Sequence, residues 1–386
     1  MRIVYCTNNI EGFGGIEKVT IIKANALAEI AGNKVYIIVT DHKGKQMLAE
    51  LHPAVTLINL NINYYDDDWK PGIGAKITGF KKRLLHKKFL KVNLDRINPD
   101  IAIGTGRAEK FFLRKGYLNN PDTIIVREMH STSDYRQILA RTFRHKLIAK
   151  LQDRLDYKIL APHFYDAVVC LTPEDKEHNW KGSENVYVMP NPLTISREFE
   201  DLQKRKVVIS MGRLSPKKNF SSLINAFSLV VSKFPEWTLE IYGDGPEKMK
   251  LDQLIINNNL QQSVFLKGQS TEVSRLFTSS SIFAFTSTLE GFPLVLVEAM
   301  SRGIPLVSYD CKYGPSSIIS DGIDGFLIKE NDEKEFAKKL HLLMGDTSRR
   351  IKMGKNGQKK SVQYHPEEIA ERWMKLFSFL IENKKA

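Results

Sequence analysis

The sequence predicts an α/β protein with two parallel, doubly wound sheets in separate domains, and three observations carry this. Short apolar runs rich in β-branched residues alternate with longer amphipathic segments from RIVYCT at residues 2–7 to GFLIKE at 325–330. That is the pattern of strands joined by crossover helices. The alternation is interrupted once, by the polar stretch 195–205. Glycine-rich turns follow strands in both runs, and ligands of such sheets bind outside the carboxyl ends of the strands. At 386 residues the chain is long enough for two cores.

The first run opens with the strand RIVYCT, the loop NNIEGFGG and a helix over 16–30. A glycine-rich loop between a first strand and a first helix cradles phosphates. Gly12, Gly14 and Gly15 do not spell GxGxxG, so a dinucleotide cofactor is disfavoured. The other reading of these glycines is a tight turn that needs positive φ. KVYIIVT and VTLINLNI are further strands, and the polar, acidic stretch 64–74 is a loop in which Asp66, Asp67 and Asp68 are solvated. In the helix over 76–92, Ile77, Phe80, Leu84, Leu85, Phe89 and Val92 cover about half the circumference and lysines and arginines fill the rest. Such a helix either lies on an anionic membrane surface or packs its apolar face on the sheet. DIAIGT is a strand, and TIIVREMH is another that ends in Arg127, Glu128 and His130, where active-site groups collect. A surface histidine is the alternative for His130. A long basic helix over 136–159, the strand DAVVCLT, a helix at PEDKEHNW and the turn Asn191-Pro192 complete a domain over 1–195.

Charge is localised. The net charge is +13, and between Lys76 and Lys150 there are 18 Lys and Arg against 6 Asp and Glu, a net of +12. The rest of the chain is close to neutral, which implies a local anionic partner for one part of one domain. Patterns for sequence-specific nucleic-acid binding are absent, so no nucleic-acid partner is expected. No apolar run reaches the ~20 residues of a membrane span, and the N-terminus lacks the apolar core of a secretory signal. Cys6, Cys170 and Cys311 are far apart, without metal-ligand or redox spacing. A cytoplasmic protein with buried thiols is the expectation.

The second run begins with KVVISM, which ends at Gly212-Arg213 ahead of the loop LSPKKNF and a helix over 220–234 capped by Asn219 or Ser221. TLEIYGDGP, VFLKG, SIFAFTST, IPLVSYD and GFLIKE are strands, with Gly243, Gly245 and Gly268 just after their carboxyl ends. The most specific stretch is FAFTSTLEGFPLVLVEAMSRG at 283–303. An apolar strand over 281–286 leads to Glu290, Gly291 breaks the chain, and Pro293 stands where a helix begins. Glu298 lies on that helix, seven residues intervening. The first N–H groups of a helix lack internal partners and carry partial positive charge. Phe292, Leu294 and Val295 therefore offer donors to an anionic or polyhydroxylated ligand flanked by two carboxylates, which accept hydroxyl pairs well. Arg213 and Lys218, five residues apart after a strand end, supply a planar multi-donor group and a compact charge; ordinary surface ion pairs are the other reading.

The segment EGFPLVLVEAMSRGIPLV resembles the Glu-x7-Glu signature of retaining GT-B glycosyltransferases of family 4. GRLSPKKN resembles that family's Arg and Lys pair, Gly14-Gly15-Ile16-Glu17 its GG-x-E loop, and Asn191-Pro192 its interdomain turn. The resemblance implies a GT-B fold: two Rossmann-like domains (1–195 for the acceptor, 206–365 for the donor) facing a cleft, with the terminal helix over 366–386 returning to the first domain. It implies transfer of a hexose, UDP-linked, from a nucleotide diphosphate sugar with retention of configuration. Arg213, Lys218 and the helix N–H groups would neutralise the leaving diphosphate, so no divalent metal or cofactor is needed. Glu290 would bind sugar hydroxyls and Glu298 the ribose, with Gly212, Gly243, Gly291 and Pro293 lining the donor. Family members carry Glu-His or a lone His at the strand that ends in Glu128 and His130; here Met129 intervenes, and either side chain is open as the one that reaches the sugar. The basic, apolar-interleaved region suggests a lipid-linked or polysaccharide acceptor and surface-glycan assembly at the inner face of the cytoplasmic membrane. The alternatives are a nucleotide-sugar epimerase of the same fold, or a non-enzymatic membrane- or nucleic-acid-binding protein using residues 76–150.

Overall fold

A computed structural model describes the chain except residues 12–13, 45–46, 48, 65–72, 107–108, 131–141, 154, 157–160, 198–201 and 386, and the side chains of 73–76, 111 and 162. Gly12, the acidic run at 66–68 and the first turns of the basic helix expected over 136–159 lie outside the described residues. The chain forms two compact units, Met1–Pro192 with Pro366–Ala386, and Leu193–His365.

The first unit holds a seven-stranded parallel sheet of order β3-β2-β1-β4-β5-β6-β7. Its strands are β1 (Arg2–Thr7), β2 (Lys34–Val39), β3 (Val55–Asn59), β4 (Ile101–Gly104), β5 (Ile124–Glu128), β6 (Ala167–Cys170) and β7 (Val186–Val188). Strands β1, β4 and β6 are buried almost throughout, which is why they read as continuous apolar runs rather than alternating ones. One core face joins Ile3, Tyr5, Ile21 and Leu27 to Ile369, Trp373 and Phe377 of the terminal helix Pro366–Lys385. The terminal helix thus belongs to the first unit, because its apolar stripe is the cover for that face of the sheet.

The second unit holds a six-stranded parallel sheet of order β10-β9-β8-β11-β12-β13. Its strands are β8 (Val207–Met211), β9 (Thr238–Tyr242), β10 (Val264–Gly268), β11 (Ile282–Phe285), β12 (Leu306–Tyr309) and β13 (Gly325–Ile328). In both sheets strand order reverses beside the first strand, between β1 and β4 and between β8 and β11. That reversal makes the crevice where doubly wound proteins bind ligands.

Several sequence expectations shift. Residues 193–195 belong to the second unit, where the Leu193 N–H donates to Tyr364 O at 2.7 Å. The helix expected over 220–234 ends at Ser228 and is followed by a separate 3₁₀ turn, Val231–Lys233. Asn219 precedes it in a left-handed conformation and makes no side-chain cap. The described part of the basic helix is Phe143–Asp153. In the helix Ile73–Ile97 the apolar residues read from the wheel do not pack on the sheet: Phe80 is 60% exposed and Val92 58%. His86, Leu90 and Leu94 are the buried positions instead. Among the described residues, no helix is long and apolar enough to cross a membrane.

Candidate functional site

The switch point of the second sheet gathers most of the residues singled out in the sequence. β8 leaves the sheet through Gly212 and Arg213, and β11 leaves through Thr286 and on to Glu290. The β11 loop clamps the 3₁₀ turn Pro216–Lys218: Thr288 N donates to Lys217 O at 2.8 Å and Thr286 Oγ1 to Lys218 O at 3.1 Å, with Ser287 Oγ packed 3.1 Å from Lys217 O. With its backbone fixed, Lys218 reaches across the crevice to Glu290, Nζ to Oε1 at 2.6 Å. Ser287 Oγ donates to the same oxygen at 2.5 Å, and Lys218 Nζ lies 5.4 Å from the centre of the Phe285 ring. Arg213 is exposed and makes no ion pair among the described residues. The loop therefore offers one paired cation and one exposed planar one at a single strand end.

Backbone pairing continues beyond the strands. Gly212 N donates to Tyr242 O and Leu214 N to Asp244 O, each at 2.9 Å. Gly243 holds φ +140, and a Cβ there would collide with Gly212 O, so only glycine lets the two loops run this close.

Glu290 and Glu298 are separated by the helix start. Pro293 is the N-cap of the helix Leu294–Ser301, one residue outside it. No side chain caps that end, so the N–H groups of Leu294 and Val295 face outward without an internal partner. Phe292 is buried, its ring 5.9 Å from that of Tyr364, and it contributes packing. Pro293 is buried against Gly314, where a Cβ would collide with its ring; Gly291 is half-buried between Glu290 and Phe292. Glu298 accepts a hydrogen bond from Thr194 Oγ1. Arg302, at the far end of the same helix, donates to Ser196 O and, through Nε, to Ser274 Oγ at 3.0 Å. Burial pulls the Arg302 pKa down and Glu298 opposes this. Thr194, Arg302 and Gly314 carried no signal in the sequence beyond ordinary loop and cap residues.

The first unit gathers the remaining candidates. Gly14 is the N-cap of the helix Gly15–Glu29 at φ −81 and ψ 145, and Gly15 is its first residue. Neither has positive φ, so the tight-turn reading does not hold for Gly14 and Gly15. Gly14 is instead the place where the Glu17 carboxylate rests on the backbone, in the volume a side chain would fill; burial pushes the Glu17 pKa up. Glu128, at the end of β5, is buried in an ion pair with Lys23. Burial by itself would raise its pKa, but Lys23 and His130 outweigh that and hold the carboxyl below its usual range. His130 is not a surface residue: its side chain is 4% exposed, and Nε2 lies 3.6 Å from Glu128 Oε1. Burial pulls its pKa down to about 4. Among the described residues, both His130 nitrogens and Glu128 Oε2 lack a hydrogen-bond partner. Of the two side chains left open by Met129, Glu128 is tied to Lys23 through Oε1 while both His130 nitrogens keep their hydrogen-bonding capacity. Lys23, hidden in an ordinary amphipathic helix, went unnoticed in the sequence.

Comparisons with known proteins bear on the family and the fold. Residues 194–360 match the family model described as glycosyl transferases group 1. The amylovoran biosynthesis glycosyltransferase AmsD of Erwinia amylovora is 30% identical over 281 residues, covering 68% of this chain and 79% of that protein. The poly(ribitol-phosphate) alpha-N-acetylglucosaminyltransferase of Staphylococcus aureus is 32% identical over 196 residues, 50% of this chain and 40% of that one. Among solved structures, a S. aureus TarM variant in complex with UDP and alpha-GlcNAc-glycerol superposes with a TM-score of 0.75 at 17% identity, over 97% of this chain and 99% of that chain. A cationic loop after β8, Glu290 in the loop after β11 and an uncapped helix carrying Glu298 thus occur in a chain that belongs to the group 1 glycosyltransferases and has the GT-B fold.

Proposed function

We propose that the protein is a retaining hexosyltransferase of family 4 that moves a sugar from a UDP-linked donor to a lipid-linked or polysaccharide acceptor in cell-surface glycan assembly, without a divalent metal. The observation that carries this is the Lys218–Glu290 pair held at 2.6 Å beside the exposed Arg213. Lys218 and Arg213 neutralise the diphosphate as the glycosidic bond breaks, and the N–H groups of Leu294 and Val295 extend that positive surface. Glu290, oriented by Lys218 and Ser287, accepts from donor-sugar hydroxyls. Glu298 accepts from the ribose hydroxyls, sharing its carboxylate with Thr194. The acceptor hydroxyl attacks from the face the diphosphate leaves and passes its proton to the departing phosphate, which preserves configuration. His130, in the first unit, hydrogen-bonds the sugar, and the Gly14-Gly15 loop approaches the diphosphate or the acceptor.

The names of relatives that build amylovoran or modify poly(ribitol phosphate), and a UDP-bound structural relative, support a surface-glycan acceptor and a uridine nucleotide. The helix Ile73–Ile97 supports contact with an anionic membrane at its inner face, since Ile77, Phe80, Leu84 and Leu85 stand exposed among lysines.

The test is incubation in EDTA with UDP-glucose, UDP-galactose and UDP-N-acetylglucosamine, each with polyprenyl-diphosphate sugars and short oligosaccharides as acceptors. The anomeric proton coupling of the product is then read by NMR. An α-linked product from one of these α-linked donors is expected. A β-linked product, or a strict requirement for added metal, would contradict the reading.

A further inference from the structure

One buried charge in the first unit has no part in the reading above. Lys23 sits on the helix Gly15–Glu29 among Val19, Ile21, Ala24 and Leu27 and is 2% exposed. A lysine so placed costs several kcal/mol unless it is paired. Its ammonium contacts Glu128 Oε1, and the rings of Tyr5 and Trp373 flank it with centres 5.7 Å and 5.6 Å from Nζ. A strand, the first helix and the terminal helix thus converge to hold one cation against one carboxylate.

The same carboxylate oxygen lies 3.6 Å from His130 Nε2, too far for a hydrogen bond. A carboxylate beside an imidazole ordinarily takes its N–H and fixes the ring. Here Lys23 draws that oxygen to itself, and among the described residues Glu128 Oε2 and both His130 nitrogens are left without a hydrogen-bond partner, so the carboxylate keeps acceptor capacity but is held out of reach of the ring. We propose that Lys23 is a positioning residue of the transferase: by drawing Glu128 toward itself it holds the carboxylate out of hydrogen-bond reach of His130 and leaves the imidazole free to hydrogen-bond the sugar substrate. This rests on the reading in which His130 meets that sugar.

The charged groups that act on His130 are Glu128, Lys23 and Arg127; Tyr5 is the other titratable group beside the pair, and its own pKa is raised by burial and then by Glu128. Lys23 and Arg127 oppose protonation of the ring, whereas Glu128 favours it. Removal of Lys23 leaves Glu128 unopposed, so the ring titrates at higher pH and pairs with the carboxylate.

Four proteins make the test: wild type, Lys23→Met, Lys23→Met/Glu128→Met and His130→Gln. The imidazole Cε1–H resonance of His130, assigned by its loss in His130→Gln, is titrated by NMR, an arm that needs no donor. UDP release is measured with the three UDP-sugars named above. In Lys23→Met the His130 titration moves to higher pH, and kcat falls on the order of a hundredfold with KM little changed, as expected for a misplaced catalytic-site group. In the double variant no carboxylate remains to capture the ring: the titration returns to low pH and most of the lost kcat is recovered. An apolar pair in place of a buried ion pair keeps the fold, so the double variant reads the role of Lys23 even if the single one is unstable. An unmoved titration in Lys23→Met, or a double variant without recovered activity, overturns the proposal. Full activity in His130→Gln instead removes the role of His130 itself, an outcome distinct from an inactive His130→Gln beside a fully active Lys23→Met.

Discussion

At the residue scale, the proposed nucleotide site turns on Lys218 Nζ and Glu290 Oε1, 2.6 Å apart, with Ser287 Oγ on the same oxygen. Glu290 and Lys218 each stood out because they follow an apolar run at its carboxyl end. That they touch could not be read, because they lie 72 residues apart and meet only when β8 and β11 become neighbours. Lys218→Met removes one cation and leaves Glu290 with Ser287. UDP affinity should weaken about ten- to a hundredfold, the range of a charge-assisted contact, as read by calorimetry in low salt. Gly243→Ala forces a side chain into Gly212 O at φ +140; a loss of about 1–3 kcal/mol is expected from urea unfolding. Lys23 and Glu128, 105 residues apart, were less readable still, because a lysine in a helix otherwise signals a solvated face. Buried histidines give the first unit a pH signature. His86 and His130 have pKa values lowered by burial from 6.5 to about 4. Below 6.5 the unfolded chain binds protons that the folded chain refuses. Their stabilising contribution is complete above that pH and is lost as pH falls toward 4. Melting temperatures between pH 7 and 4.5 should therefore drop, and less steeply in His86→Phe.

At the element scale, the β/α alternation located the strands but overran some carboxyl ends by three residues, as at VTLINLNI against Val55–Asn59 and SIFAFTST against Ile282–Phe285, because the loops after these strands stay apolar or β-branched. The helix Ile73–Ile97 shows the limit of a helical wheel: it finds an apolar face without saying what covers it. His86, Leu90 and Leu94 turn inward, and the wider stripe of Ile77, Phe80, Leu84, Leu85, Phe89 and Val92 does not. Two variants separate the faces. Phe80→Ser/Leu84→Ser should leave the melting temperature unchanged and abolish co-sedimentation with phosphatidylglycerol vesicles. Leu90→Ala should cost about 2–5 kcal/mol of stability with vesicle binding intact in the folded fraction. Vesicle binding that survives loss of the exposed pair would place the membrane contact elsewhere.

At the scale of the whole molecule, the chain builds two cores, and one of them is discontinuous in sequence. The terminal helix returns to the first unit because Ile369, Trp373 and Phe377 complete its core, a long-range pairing that amphipathic periodicity alone does not specify. Thr194 and Ser196, at the start of the second unit, are tied to the helix Leu294–Ser301 and its C-cap, through Thr194 with Glu298 and Ser196 with Arg302. The most direct measurement of the central claim, that the second sheet's switch point binds a nucleotide diphosphate without metal, is thermal stabilisation by UDP, GDP and ADP and their sugars in EDTA, with Glu298→Ala alongside. The account predicts that UDP and UDP-sugars raise the melting temperature, and less so in the variant, since a ligand that binds only the folded state stabilises it in proportion to its affinity. No shift with any diphosphate, or an equal shift in Glu298→Ala, would contradict it.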